Sequence, residues 1–145
     1  DVYVKSQSKL YGIKCPTNLN SSAIDEFLII FIAAAKAKGI SHFKNLSELN
    51  KKESPRLNIA IKILLKLGVK VIRKNDDIKI YGNPNLNLKG SYLIKNFMKD
   101  HRVVMMSCIA ALTLGGEWKI SDIDSVKTSF PNFFKTLKQL GAKIN

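Results

Sequence analysis

Acidic and basic side chains gather in four short blocks of this sequence. The blocks are Ile24-Asp25-Glu26, Lys52-Glu53-Ser54-Pro55-Arg56, Asp100-His101-Arg102 and Lys127-Thr128-Ser129-Phe130-Pro131. Each block lies at the start of a predicted helix, where the free backbone N–H groups carry partial positive charge. A cation at this end of a helix is unfavourable by about 0.3 to 1 kcal/mol, and a bound anion would offset that repulsion. The pattern therefore predicts phosphate or carboxylate ligands.

Each block also has an ordinary structural explanation. Asp25 and Glu26 could do no more than neutralise the first turn of a helix. Glu53 and Arg56, three residues apart, could form a solvated ion pair. His101 and Lys127 could be surface residues. The aromatic side chains are more typical of a core than of a stacking surface, and they comprise Trp118, Phe130, Phe133 and Phe134.

The elements that must position these blocks follow from hydrophobic periodicity and from turn residues. The pattern predicts strands over residues 2–6, 10–15, 41–46, 69–73, 78–81, 92–94, 118–121 and from Ala142 onward. It predicts helices from Ser21 or Ser22 to Gly39, from Ser54-Pro55 to Gly68, over 100–114 and over 131–140. In the second helix, Ser54 is expected to cap and Pro55 to be the first helical residue. Residues 83–90 are expected to form a polar loop.

Two parts of the chain, about 21–82 and 91–145, have similar sequences. Leu67-Gly68-Val69-Lys70-Val71 reappears as Leu140-Gly141-Ala142-Lys143-Ile144, and Asp25 and Asp100 precede glycines at similar distances. This similarity predicts a duplicated α/β unit within one domain of residues 1–145.

Composition narrows the class of protein. The 145 residues are 46% hydrophobic, enough for one buried core, and no apolar run is long enough to span a bilayer. Two distant cysteines and the absence of a secretory signal pattern favour a cytoplasmic protein. The net charge of +13 could attract nucleic acid, anionic lipid or small polyanions. Dispersed lysines indicate general compositional bias rather than a binding stripe.

In this order and at these separations, the four blocks resemble the last part of the 5-enolpyruvylshikimate-3-phosphate synthases. The resemblance covers essentially the whole chain. It implies the enolpyruvyl transferase fold, whose pseudo-threefold domains are built from repeated βαβαββ units, with about two units present here. It also implies a cytoplasmic transferase of the shikimate pathway, which leads to chorismate and the aromatic amino acids.

That family moves the enolpyruvyl group of phosphoenolpyruvate to the 5-hydroxyl of shikimate 3-phosphate and releases phosphate. The resemblance implies no cofactor and no metal, and it implies these two substrates with no membrane or nucleic-acid partner. Asp25 and Glu53 are the expected proton-transfer residues, with His101 in support. Lys52 and Asp25 would contact shikimate 3-phosphate, and the phosphoenolpyruvate contacts would come from Arg56, Arg102 and Lys127.

This sequence departs from the family pattern at several positions. Pro55 stands where the family usually has a polar residue, the loop 95–99 differs before Asp100, and Lys127 lies one residue too early. Family members are also roughly three times as long, so we expect this chain alone to be inactive without the missing N-terminal part. Two alternatives remain, a relative of UDP-N-acetylglucosamine enolpyruvyl transferase and a non-catalytic basic binding domain.

Overall fold

The computed structural model describes Tyr3, Lys5 and residues 9–144. Its α-helices are α1 (Phe27–Lys36), α2 (Arg56–Lys66), α3 (His101–Leu114) and α4 (Phe133–Gln139). The strands are β1 (Gly39–Phe43), β2 (Lys70–Lys74), β3 (Asp77–Gly82), β4 (Leu88–Ile94) and β5 (Gly115–Ile120). Short 3-10 helices span Thr17–Leu19, Ser47–Lys51 and Ile123–Thr128. The predicted mixture of helices and strands is confirmed.

The first sheet has the strand order β1-β3-β2, with both pairings antiparallel. Helix α2 connects the two outer strands, β1 and β2. These strands run parallel to each other because each is antiparallel to β3. Residues 11–14 lie parallel to β1 through bridges from Tyr11 to Lys38 and from Lys14 to His42. Helix α1 follows this segment, so the chain order is extended segment, α1, β1, α2, β2, β3.

The second sheet consists of β4 and β5, which pair in parallel. Parallel strands need a crossover connection, and α3 supplies it. Gly115 ends α3 with a φ of 81°, a left-handed conformation that glycine adopts without steric penalty. The predicted strand-helix-strand order in this part of the chain is confirmed.

Helix α2 shows why the sequence folds around one core. Its buried residues are Arg56, Leu57, Ala60, Ile63 and Leu64, which recur at helical spacing and form one face. This face is apolar except for Arg56. The core also contains an aromatic group from α1 and β1, namely Phe27, Phe31 and Phe43. None of the described helices combines the length and the apolar character needed to cross a membrane.

Helix α1 differs from the prediction at both ends. It begins at Phe27 rather than at Ser21 or Ser22 because residues 21–26 form turns. In these turns Ser22 Oγ donates a hydrogen bond to the Leu19 carbonyl, so its side chain does not cap α1. Gly39 belongs to β1 and does not end the helix, and the predicted strand 41–46 accordingly runs over Gly39–Phe43.

The start of α2 is also shifted by one residue. Pro55, rather than Ser54, is the residue that precedes the first helical turn, so the predicted serine cap is wrong. Ser54 Oγ instead donates at 2.7 Å to Oδ2 of Asp100, the residue that precedes α3. A tertiary hydrogen bond has replaced the local one.

The remaining predictions of strands and loops are confirmed in part. The hairpin of β2 and β3 is confirmed, with Asn75 in its turn at a φ of 54°. Within the predicted loop 83–90, strand β4 already begins at Leu88. No strand forms over the described residues 142–144, so the predicted final strand is wrong there. The predicted strand 2–6 lies largely outside the described residues.

Candidate functional site

Three helix N-termini converge on one buried cation. Arg56 begins α2, Asp100 immediately precedes α3, and Asp25 lies in the turn before α1. The Arg56 side chain is 1% exposed, and its Nε, Nη1 and Nη2 atoms donate to three different carboxylates. We call this the Arg56 cluster, and it consists of Asp25, Glu53, Ser54, Arg56, Asp100 and Arg102.

The carboxylates around Arg56 divide into one buried and two exposed partners. Nε lies 2.9 Å from Oδ2 of Asp100, whose side chain is 0% exposed. Nη1 lies 2.7 Å from Oδ1 of Asp25, and Nη2 pairs with Oε2 of Glu53. The side chains of Asp25 and Glu53 are 43% and 59% exposed. The Asp25 and Glu53 carboxylates are therefore the solvent-facing partners of one guanidinium.

The cluster explains how the charged Arg56 side chain can be buried at the start of α2. A buried charge without partners is strongly unfavourable, whereas several hydrogen-bonded carboxylates compensate it. We expected a bound anion to provide this compensation at the helix N-termini. Asp25, Glu53 and Asp100 provide it from within the chain.

Asp100 is ionised although it is buried. Burial alone would raise the pKa of the Asp100 carboxyl, but hydrogen bonds from Arg56 and Ser54, the charge of Arg56 and the Arg102 backbone N–H outweigh it and lower the pKa. Oδ1 of Asp100 accepts that backbone bond at 3.0 Å, which makes Asp100 the side-chain cap of α3.

Asp25 is also held in its charged form. Burial alone would raise its pKa, but the hydrogen bond from Arg56 and the charges of Arg102, Arg56 and Lys52 together lower it. Arg102 lies on the other side of this residue, with Nη2 3.4 Å from Asp25 Oδ2 and Nη1 3.0 Å from its backbone carbonyl. Nη1 also pairs with Glu26 at 3.2 Å.

The remaining candidates are placed differently. Lys52 is exposed, yet it is close enough to Asp25 for its charge to lower that pKa. His101 is half-buried in the first turn of α3, and its side chain forms no hydrogen bond within the part of the chain that the structure describes. Lys127 is exposed and pairs with Asp124 in the same 3-10 helix at 2.6 Å. The described contacts therefore do not join Lys127 to the cluster.

The cluster suits proton transfer next to an anion. It has two solvent-facing carboxylates that can exchange protons, and two arginines that can bind planar anions in bidentate fashion. In the described part of the chain, no three His, Cys, Asp or Glu side chains are arranged to hold a metal ion. A groove of about 1050 Å³ lies elsewhere, along β4, β5 and residues 141–144, and none of the cluster residues lines it.

Three residues bonded to the arginines or to their carboxylate partners were not predicted as site residues, namely Glu26, Ser54 and Asp100. Asp100 was expected only to lie at a helix start, and Ser54 only to cap a helix. The contact of Asp100 with Arg56 joins residues 44 positions apart and has no counterpart in local spacing.

Comparisons with known proteins agree with this architecture. A sequence model described as EPSP synthase (3-phosphoshikimate 1-carboxyvinyltransferase) matches residues 2–137. The 3-phosphoshikimate 1-carboxyvinyltransferase of Ruthia magnifica is 41% identical over 145 residues, which is 100% of this chain and 32% of that protein. The protein of the same name from Zymomonas mobilis is 39% identical over 99% of this chain and 32% of its own length.

Solved structures show the same fold. The EPSP synthase of Acinetobacter baumannii superposes with a TM-score of 0.84 and 31% identity, over 94% of this chain and 32% of that one. The enolpyruvyl transferase NikO from Streptomyces tendae, at 17% identity and a TM-score of 0.60, shows the fold alone, over 83% of this chain and 26% of that one. The chain spans about a third of the length of the curated relatives it matches. The expected enolpyruvyl transferase fold is confirmed, and the chain belongs to the EPSP synthase (3-phosphoshikimate 1-carboxyvinyltransferase) family.

Proposed function

We propose that this chain is the C-terminal part of an enzyme that transfers enolpyruvyl from phosphoenolpyruvate to the 5-hydroxyl of shikimate 3-phosphate. The observation that carries the proposal is the meeting of Asp25, Glu53 and Arg102, from separate sequence blocks, around the Arg56 guanidinium. The partner of the chain is the remaining N-terminal portion, which supplies the other substrate contacts. Both substrates are polyanions, which suits the two arginines.

Asp25 and Glu53 divide the proton transfers between them. Asp25 takes the proton of the 5-hydroxyl as that oxygen bonds to C2 of phosphoenolpyruvate. Glu53, which takes up a proton from solvent when it leaves Arg56, gives this proton to the methylene carbon. The product of this addition is a tetrahedral intermediate. Glu53 then removes a proton from the same carbon, the C2–O bond to phosphate breaks, and phosphate leaves with the bonding electrons and takes up the hydroxyl proton that Asp25 held.

Arg56 and Arg102 bind the carboxylate and the phosphate of phosphoenolpyruvate. Since Arg56 is almost wholly buried, a ligand oxygen reaches it only where one of its exposed partners, Asp25 or Glu53, gives way. This exchange would free a carboxylate for proton transfer when the ligand arrives. Lys52 contacts shikimate 3-phosphate beside Asp25, His101 supports the arginines, and Lys127 reaches phosphoenolpyruvate only by leaving Asp124.

Two titrations and one activity assay test the proposal. The purified chain should bind both substrates weakly, phosphoenolpyruvate with NMR shifts at Arg56 and Arg102 and shikimate 3-phosphate with shifts at Lys52, and it should release no phosphate when both are present. The complete protein should release phosphate with shikimate 3-phosphate as acceptor and not with UDP-N-acetylglucosamine. A complete protein that transfers nothing to shikimate 3-phosphate rules out the proposed function, and phosphate release by the chain alone rules out its dependence on the remainder.

The duplicated halves, about 21–82 and 91–145, are part of the proposal. In each half a helix, a strand, a 3-10 helix and a second helix follow one another. The second helices also end alike. Gly68 and Gly141 have φ angles of 76° and 94°, and the next residue donates its N–H to the carbonyl of Leu64 or Leu137, as in a Schellman motif.

A basic binding domain is the second candidate, and the net charge of +13 favours it. Salt-dependent retention on DNA that shikimate 3-phosphate fails to compete would support this candidate over the transferase.

The two free cysteines, Cys15 and Cys108, are compatible with the cytoplasmic location that we propose for the enzyme.

A further inference from the structure

One carboxylate joins the N-termini of α2 and α3. Oδ2 of Asp100 accepts hydrogen bonds from Ser54 Oγ at 2.7 Å and from Arg56 Nε at 2.9 Å. Oδ1 accepts the backbone N–H of Arg102 at 3.0 Å. Both arginines of the cluster are therefore tied to the same buried side chain, which itself lies away from the exposed face where Asp25 and Glu53 meet solvent.

The bond to Nε determines how the guanidinium is turned. A guanidinium is planar, with its donors in a rigid fork, so anchoring Nε on Asp100 directs the two terminal nitrogens to the opposite edge. At that edge they meet Asp25 and Glu53. The Ser54 hydroxyl in turn holds Oδ2, so the orientation of Arg56 depends on a bonded chain of Ser54, Asp100 and Arg56.

The bond to Arg102 has a second consequence. Capping by Asp100 places Arg102 in the first turn of α3, from where its guanidinium reaches the Asp25 carbonyl and Glu26. The two arginines thus have positions that are fixed relative to each other by one carboxylate. Two such cations can bind the carboxylate and the phosphate of one small polyanion together only if their spacing is maintained.

We propose that Asp100 is a positioning residue that aims Arg56 and sets its spacing from Arg102, and thereby determines affinity for phosphoenolpyruvate rather than for shikimate 3-phosphate. This inference rests on the proposed function. Asp100 does not touch substrate in this arrangement, and its effect passes through the two arginines.

Asp100→Asn separates positioning from helix capping. The Asn amide oxygen can still accept the Arg102 N–H, because asparagine caps helices as well as aspartate does. Its Nδ2 group, in contrast, would face Arg56 Nε–H donor to donor and could not anchor it. The matched control is Asp76→Asn, which removes a surface carboxylate that pairs with Arg73 at 3.6 Å outside the cluster.

Two measurements test the inference. The first follows the Arg56 Nε–H and Arg102 backbone N–H of the 145-residue chain by NMR hydrogen exchange, without substrate. In Asp100→Asn we expect Arg56 Nε–H to lose protection while the Arg102 amide keeps it. Unchanged protection of Arg56 Nε–H overturns the inference, and the Asp76→Asn control should match wild type.

The second measurement is steady-state kinetics of the complete protein. For Asp100→Asn we expect the KM for phosphoenolpyruvate to rise about tenfold or more, with the KM for shikimate 3-phosphate within about twofold of wild type. A general loss of folded protein would lower kcat and leave both KM values unchanged, and that result overturns the inference. If Asp100→Asn does not fold, Ser54→Ala should raise the KM for phosphoenolpyruvate by about threefold. The inference is overturned if Ser54→Ala does not raise this KM selectively. Wild type that transfers nothing refutes the proposed function, while the exchange measurement still reports on Asp100.

Discussion

Arg56 Nε and Asp100 Oδ2 form a buried ion pair of 2.9 Å between the first residue of α2 and the residue that caps α3. Such a pair contributes little net stability compared with an apolar contact of the same volume, since both ions lose their hydration. Removing one member is a different matter, because the other ion then remains buried without its countercharge. Removing one member of the pair should therefore lower the free energy of unfolding much more than the net stability of the intact pair would indicate.

Arg56→Met should destabilise the chain by about 3 to 5 kcal/mol, because Asp100 would keep its burial and lose its cation. The measurement is the free energy of unfolding from urea denaturation, followed by circular dichroism. Arg73→Met is the matched control, since Arg73 lies on the surface beside Asp76 and should change stability by less than about 1 kcal/mol. Equal effects of the two variants would contradict the importance of the buried pair.

Stability should fall in acid because two carboxylates of the cluster titrate below their ordinary range. Both Asp25 and Asp100 have a pKa below 3.8 in the folded chain, since the cations around them outweigh the effect of burial. The unfolded chain thus binds protons first, and the contribution to stability is present above about pH 4 and is lost as pH falls through the folded pKa values.

This pH dependence is measurable as the urea midpoint between about pH 2.5 and 6. The midpoint of wild type should rise with pH across the lower part of this range, and Asp100→Asn should show a shallower rise. Asp76→Asn should keep the wild-type slope. An identical slope in Asp100→Asn would show that the Asp100 carboxyl has the same pKa in the folded and unfolded chains.

Much of the fold was predictable because it follows from local patterns. The apolar face of α2, the Gly115 that ends α3 and the hairpin turn at Asn75 are each determined by residues within a few positions. Where long-range hydrogen bonds compete, local patterns failed. Asn20 Nδ2 donates to the backbone carbonyls of Lys44 and Asn45, and the residues after it, predicted to start a helix at Ser21 or Ser22, form turns up to Glu26.

The candidate site was predictable as a set of residues and not as a set of contacts. The sequence placed Asp25, Glu53, Arg56 and Arg102 at helix starts, and the fold brings them together. It could not show that Arg56 is buried or that Asp100 holds it, because helix packing decides both. Ser54 had a plausible local role as a cap, and the bond to Asp100 replaced it.

The loop before Asp100 contains backbone strain that a single substitution can relieve. Met98 has a φ of 57°, a left-handed conformation unfavourable for a non-glycine residue, and it is 68% exposed. Met98→Gly should therefore stabilise the chain by about 0.5 to 1 kcal/mol, measured by urea denaturation. Lys95→Gly is the control, because Lys95 lacks a positive φ and glycine there should reduce stability. Destabilisation by both variants would mean that Met98 contributes more through its contacts than it loses through strain.

The two exposed carboxylates of the cluster should both be needed for turnover. Asp25→Asn and Glu53→Gln each remove a proton-transfer group while keeping the shape of the side chain and its contact with Arg56. In the complete protein each should lower kcat by about 10² or more, the usual contribution of a positioned acid or base. Glu48→Gln is the control, because Glu48 pairs on the surface with Lys51 and takes no part in the cluster. Circular dichroism of the chain variants checks that the fold is kept. Since the two groups act on different atoms, the double variant should be no more active than the less active of the two single variants. Near-normal turnover in either single variant would remove that residue from the proposed mechanism.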